Sequence, residues 1–258
     1  REHQRHPRPS PRGLPCRAGR ALVVRQKKTV QRVAEEPTGD GWVWTAFAPE
    51  ARLIVSFVVG PRDEGSAREL IQDMAGRLER PLPLFVSDGY DLYRRMLLEQ
   101  YGMEFTPPRT GLPGHPAGPR LVPPPDLRYA QVVKHREGRR VVKVDRRVLF
   151  GGEGITTEMI TTSKVERQNL NFRNNNRRLT RKTICFSKAM AAHHQHVALQ
   201  VADHNLVRPH LSLRERLPDH CRPRRWSRRT PAMVAGLTDH IWSLPELLSH
   251  RYYITSTN

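Results

Sequence analysis

Apolar positions near the start of the chain predict β-strands. Apolar and β-branched residues dominate "ALVVRQKKTV" from Ala21, and two further runs follow, "WVWTAFA" (Trp42–Ala48) and "RLIVSFVVG" (Arg52–Gly60). The short turn "APEA" separates the second run from the third. Two apolar runs joined by a short turn are typical of an antiparallel hairpin. We therefore expect three strands, of which the last two pair.

The next segment changes to the helical period. Residues Arg62–Arg80 carry apolar side chains at i, i+3, i+4 and i+7, which predicts an amphipathic helix. These side chains are Ala67, Leu70, Ile71, Met74, Ala75 and Leu78. "PLFVSDG" (Pro83–Gly89) then predicts a short buried strand that ends at an aspartate, and "YDLYRRMLLEQYG" (Tyr90–Gly102) predicts a second helix.

Proline and glycine dominate residues 106–126, which indicates an inserted loop or linker. After it, "YAQVVKH" (Tyr129–His135) and "RRVVKVDRRVLFG" (Arg139–Gly151) predict strands. "TSKVERQNLNFRNNNRRL", from Thr162, and "FSKAMAAHHQHVALQVADHNL", from Phe186, predict two helices. Strands followed by alternating helices and strands favour an α/β fold, an open mixed sheet flanked by helices.

Composition divides the chain into four expected parts. Residues 1–20 contain many Arg and Pro and almost no large apolar side chain, so we expect this basic segment to be disordered. The core is predicted over 21–213 with the insertion at 106–126, followed by a basic insertion at 214–229 and a tail at 230–258. In the insertion, "RPRRWSRR" (Arg222–Arg229) is interpreted as a solvated loop, with Trp226 able to stack or to pack. In the tail, "SLPELLSH" predicts a helix capped by Ser243.

The charge balance points to a polyanionic partner. The chain has 44 Lys and Arg against 25 Asp and Glu, a formal net charge of +19. Such an excess favours nucleic acid as the partner, with an anionic membrane surface second. No apolar run approaches the roughly 20 residues of a spanning helix, and the N-terminal residues lack the apolar region of a signal peptide. We therefore expect a soluble cytoplasmic protein.

Two acids stand out in this basic sequence. Asp88 follows a short apolar strand, and Glu166 lies among arginines in a segment that is predicted to be helical. Asp88 fits an ordinary turn residue, and Glu166 fits a helix N-terminal acid that is favoured by the macrodipole. Carboxylates isolated in basic surroundings also fit two-metal phosphoryl transfer, where Mg²⁺ is held while a polyanion is bound. The residues alone leave both interpretations open. "HHQH" (His193–His196) is interpreted as a polar helix face and not as a metal site.

Three runs carry a more specific resemblance. "SDGYDLY", "TTSKVERQNLNFRNNNRRLTRKTICFSKAM" and the ending "HNLVRPHLSL … RTPAMVAGLTDHIWSLPELL" resemble the bacterial insertion-sequence transposases with a DDE catalytic core, in particular the small first-described insertion-sequence family. The similarity extends over Ala21 to His250 apart from the two insertions. It implies an RNase H-like fold and cleavage and joining of DNA with Mg²⁺ or Mn²⁺. It also implies a homo-oligomer that binds element ends and target DNA in the bacterial cytoplasm, associated with the nucleoid and not with a membrane.

The resemblance assigns roles to individual residues. Asp88 matches the second Asp of the catalytic triad and Glu166 matches its Glu, so both are expected to bind the metal. The basic side chains after Glu166 are candidates for phosphate contacts, and Asn169 is a candidate for positioning DNA. The phosphate candidates are Arg167, Arg173, Arg177 and Arg178.

The first Asp of the triad is a departure. Relatives carry an Asp-Glu-x-Trp motif in the first strand, whereas here "CRAGR" precedes that strand and no acid lies between Glu2 and Glu35. Asp40 and Glu50 flank the next strand and do not match the position. We therefore expect a truncated or frameshifted N-terminus. An active transposase and a catalytically inactive remnant that only binds DNA both remain open, and a basic RNA-binding protein is a third alternative.

Overall fold

The computed structural model describes residues 21–28, 41–108, 118–180, 184–185, 187, 189–218 and 225–250. The strands are β1 Ala21–Lys28, β2 Trp42–Ala48, β3 Leu53–Gly60, β4 Leu84–Asp88, β5 Met103–Phe105, β6 Arg120–Val122, β7 Arg128–Glu137, β8 Arg140–Phe150, β9 Glu215–Arg216 and β10 Trp226–Ser227. The helices are α1 Glu64–Ala75, α2 Leu92–Tyr101, α3 Ser163–Asn175, α4 Met190–Ala202, α5 Pro231–Val234 and α6 Leu244–Ser249. The fold is therefore a mixture of helices and strands, as the sequence pattern predicts.

Six strands form the central sheet in the order β3-β2-β1-β4-β7-β8. β1 pairs with β4 and β4 pairs with β7 in parallel, whereas the pairs toward both edges are antiparallel. The predicted hairpin of β2 and β3 is confirmed. Two small antiparallel pairs, β5 with β6 and β9 with β10, lie outside this sheet.

Each face of the sheet is covered by helices. Successive side chains of a strand point to opposite faces, and β4 shows this clearly. Phe85 packs in the core that contains the buried residues of α1 and α2, whereas Leu84 and Val86 pack in a second core with residues of α3 and α4. The tail contributes to the first core, because Ala232 and Ala235 from α5 and its C-terminal end are buried there.

Capping residues explain where two predicted helices differ from the observed ones. α1 begins at Glu64, not at Arg62, because Asp63 caps it by accepting a hydrogen bond from the Ser66 amide at 2.9 Å. The helix predicted through Leu179 ends at Asn175. Asn176 is extended, and its side chain accepts from the Arg178 amide at 3.0 Å, which starts a separate 3₁₀ turn at Arg177–Leu179. The prediction of one continuous helix there was wrong.

The two predicted insertions are partly regular. Arg120–Val122 forms β6 within the predicted 106–126 loop, and Trp226–Ser227 forms β10 within the predicted solvated loop. The loop interpretation was therefore wrong at these positions. The predicted tail helix is confirmed as α6, with a capping box between Ser243 and Glu246. The N-terminal segment 1–20, Asp40 and residues 109–117, 219–224 and 251–258 lie outside the described residues.

Within the described part of the chain, no helix combines the length and the apolar character that crossing a membrane requires.

Candidate functional site

Asp88 is the last residue of β4 and is partly exposed at the end of the strand. It pairs with Val132 of β7 in parallel register. Because it follows Leu84 and Val86 at intervals of two, its side chain lies on the same face as theirs, the face covered by α3 and α4. Asp88, which the sequence also allowed as an ordinary turn residue, thus lies on the face of the sheet that α3 and α4 cover, called the α3 face below.

Glu166 lies in the first turn of α3. Its Oε1 accepts hydrogen bonds from Thr162 Oγ1 at 2.8 Å and from Lys134 Nζ. Its side chain is 34% exposed, so the carboxylate remains accessible from solvent. The macrodipole favours a negative charge in this turn, and the ammonium of Lys134 adds a direct ion pair.

Lys134 contacts Glu166 and lies on the same face of the sheet as Asp88. It follows Val132 by two residues along β7, so it lies on the same face as Val132 and as Asp88, which pairs with Val132. Its contact with Glu166 therefore brings α3 to the end of the sheet where β4 stops at Asp88. The sequence analysis did not identify Lys134. The sequence pattern that could have identified Lys134 is a charged residue that continues, at an interval of two, the strand face of buried Ala130 and Val132.

The four predicted phosphate-binding arginines lie at or near the surface, on α3 and on the turn that follows it. Arg167 is exposed on α3, and Arg177 and Arg178 are exposed on the 3₁₀ turn that follows it. Arg173 lies seven residues after Glu166 and therefore on the same side of α3; its Nε donates to the Asn169 carbonyl at 3.4 Å. Asn169 itself is only 8% exposed, on the side of the helix that faces the core.

The carboxylates of Asp88 and Glu166 can be compared with the ligands that a bound metal ion requires. Among the residues that the structure describes, no group of three or more His, Cys, Asp or Glu side chains is arranged to hold a metal ion. Mg²⁺ is commonly bound by one or two carboxylates together with water and substrate phosphates. Asp88 and Glu166 fit that smaller donor set, and a metal at Glu166 has to compete with the Lys134 ammonium.

The histidine cluster is a helix, but it is not a uniformly polar face. His193 in α4 is fully buried, and its Nδ1 lies 2.9 Å from Ser187 Oγ. Burial, with smaller contributions from His196, Arg178 and His194, lowers the pKa of His193 to about 4. The polar-face interpretation was wrong for His193, because the helix turns this position toward the second core.

The segment that carries Glu166 identifies the class of protein. Residues 142–207, from β8 through α3 and α4, match a family model of DDE-type transposases. The model is that of the IS1 transposase, and over this segment the chain is similar to that family. The resemblance seen in the sequence is thus confirmed. The match includes Glu166 and the four arginines and does not reach Asp88. A comparison with curated proteins gave no match.

Proposed function

We propose that this transposase-type protein cleaves and transfers DNA strands at insertion-sequence ends in a metal-dependent reaction. The observation that carries the proposal is the common location of Asp88 and Glu166 on the α3 face, linked through Lys134 of the strand beside β4. The RNase H-like fold is part of the proposal. Its support is a mixed sheet with helices packed on both faces.

In the proposed reaction, Asp88 and Glu166 hold Mg²⁺ or Mn²⁺. The ion supplies charge neutralisation at the phosphate that is attacked. Thr162 would orient the Glu166 carboxylate through its hydrogen bond, and the Lys134 ammonium would leave that carboxylate when a metal binds. Exposed arginines after Glu166 bind the DNA backbone and fix its register on the protein. Because such contacts carry no sequence information, recognition of an element end requires other residues.

The proposal also includes the wider assembly. DNA of the element ends and of the target is the partner, and a homo-oligomer acts on it in the bacterial cytoplasm at the nucleoid. The division into a 21–213 core, a 214–229 insertion and a 230–258 tail remains our working description. The burial of Ala232 and Ala235 in the first core supports a tail that is attached to that core.

One specific observation favours a second function, a catalytically inactive remnant that only binds DNA. Glu166 already has a cationic partner in Lys134, and the described residues lack a third metal-binding side chain next to the pair. Because the charges of Glu166 and Lys134 would neutralise each other, the arginines after Glu166 could bind DNA in the absence of a metal ion.

Nicking of supercoiled plasmid in Mn²⁺ tests the first function against the second. We expect nicking by the wild-type chain and its loss in Glu166→Gln and Asp88→Asn. Glu158→Gln is the matched control, because Glu158 is exposed and precedes α3. DNA binding without nicking in the wild type would establish the remnant. Nicking that persists in Glu166→Gln would exclude the proposed role of Glu166.

A further inference from the structure

A second candidate binding site lies in the C-terminal part of the described chain. A cavity of about 870 Å³ lies between the segment before Arg214 and the β9–β10 hairpin. Its lining includes His210, Arg214, Arg225, Trp226 and Arg228. Cavities of this size are typical of small-molecule and cofactor sites, which combine apolar walls with a few polar groups.

This cavity has no lining residue in common with the Glu166 site. His204 precedes the lining residues in the chain, and its Nε2 lies 2.8 Å from the Arg52 carbonyl oxygen. Burial, with a smaller contribution from the charge of Arg52, lowers the pKa of the lining residue His210. The cavity therefore lies near the start of β3, one edge of the sheet.

The lining has the charge expected for an anion site. Three arginines line the cavity, and none of the described residues in its lining is acidic. Glu215 of β9 is paired with Arg229 at 3.1 Å and does not belong to the lining. The cavity thus presents three guanidinium groups that favour a phosphate-bearing ligand.

The same cavity offers a flat apolar surface. Arg214 Cζ lies 4.3 Å from the ring centroid of Trp226, and the tryptophan remains 43% exposed. Leu211 and Ile241 add exposed apolar walls at 82% and 39%. Aromatic rings and guanidinium planes are the surfaces on which unpaired bases stack.

We propose that this cavity binds an unpaired nucleotide of single-stranded DNA. The base stacks on the Trp226–Arg214 pair, and Arg225 and Arg228 bind the adjacent phosphates. Duplex DNA does not offer a free base face, so the site distinguishes melted from paired DNA. This activity goes beyond the metal-dependent cleavage proposed above and does not depend on Asp88 or Glu166.

Binding of labelled oligo(dT) and of a duplex, followed by fluorescence anisotropy, tests the proposal. Stacking of a base on an aromatic residue predicts that Trp226→Ala weakens oligo(dT) binding about 5- to 150-fold and changes duplex binding much less. Trp226→Phe keeps an aromatic surface and retains most of the affinity. Arg214→Gln weakens oligo(dT) binding as a second, independent variant.

Tryptophan fluorescence supplies a readout that a purely structural role of Trp226 would not change. Oligo(dT) quenches the wild-type emission, and this quenching is lost in Trp226→Phe but persists in the matched control Trp42→Phe. Equal weakening of oligo(dT) and duplex binding by Trp226→Ala, or unchanged binding of both, overturns the proposal. The oligo(dT) measurements are made with EDTA and without divalent metal, so failure of the metal-dependent cleavage proposal is distinguished from failure of this one.

Discussion

At the scale of single residues, the Lys134 ammonium competes with a metal ion for the Glu166 carboxylate. Its ammonium forms an ion pair with the carboxylate that we assign to the metal site, and a cation in contact with that carboxylate opposes the binding of a divalent ion. We expect Lys134→Gln to tighten Mn²⁺ binding several-fold in a titration followed by the signal of free Mn²⁺. Lys143→Gln is the control, since Lys143 pairs with Asp145. Weaker binding in Lys134→Gln would show that Lys134 supports the metal site.

His193 predicts a pH dependence of stability. Its pKa is lowered to about 4 in the folded chain, mainly by burial, whereas an unfolded histidine titrates near 6.5. The unfolded state therefore binds more protons between these values, so the free energy of unfolding falls as the pH drops from 6.5 toward 4. Half-buried His204, whose pKa is also lowered by desolvation, acts in the same direction.

The test is denaturant unfolding of His193→Gln at pH 7 and pH 5. We expect the loss of stability between these pH values to be about 2 kcal/mol smaller than in the wild type. Gln195→Ala, at an exposed position of the same helix, retains the wild-type dependence. An unchanged dependence in His193→Gln would contradict a neutral, buried His193.

At the scale of elements, α1 and α2 provide a matched pair of N-caps. Asp63 caps α1 through the Ser66 amide, whereas Asp91 at the same position of α2 makes no side-chain cap bond. Loss of a working cap costs about 1 kcal/mol. We therefore expect Asp63→Ala to lower the free energy of unfolding by that amount in urea titrations and Asp91→Ala to lower it less. Equal losses in the two variants would contradict the capping assignment.

Local patterns predicted elements well and contacts poorly. β2 was predicted with its observed bounds, because its apolar run and the following turn are encoded within a few residues. The break at Asn176 was missed, since it depends on one side chain that caps the next turn. Asp88 and Glu166 were recognisable candidates, but the Lys134 contact depends on the packing of α3 against β7, which are distant in sequence. Trp226 gave no pattern that separates stacking from packing.

At the scale of the whole molecule, the net charge of +19 predicts strongly salt-dependent DNA binding. Four phosphate contacts give a slope of about −4 for log affinity against log salt concentration on duplex DNA. The double variant Arg177→Gln, Arg178→Gln makes the slope less steep by about 2. Arg77→Gln is the control, because Arg77 is paired with Asp73 at 2.8 Å. A slope that is unaffected by the double variant would exclude these two phosphate contacts.

The central claim is that Asp88 and Glu166, from β4 and α3, hold the same metal ion. A Mn²⁺ titration of the wild type, Asp88→Asn, Glu166→Gln and Glu158→Gln tests it most directly. Mutation of a residue that only hydrogen-bonds to a metal ligand already lowers metal affinity by about 10-fold or more. We therefore predict that Asp88→Asn and Glu166→Gln each lower the Mn²⁺ affinity by at least that factor and that Glu158→Gln leaves it unchanged. Wild-type affinity in either Asp88→Asn or Glu166→Gln would contradict a shared metal site.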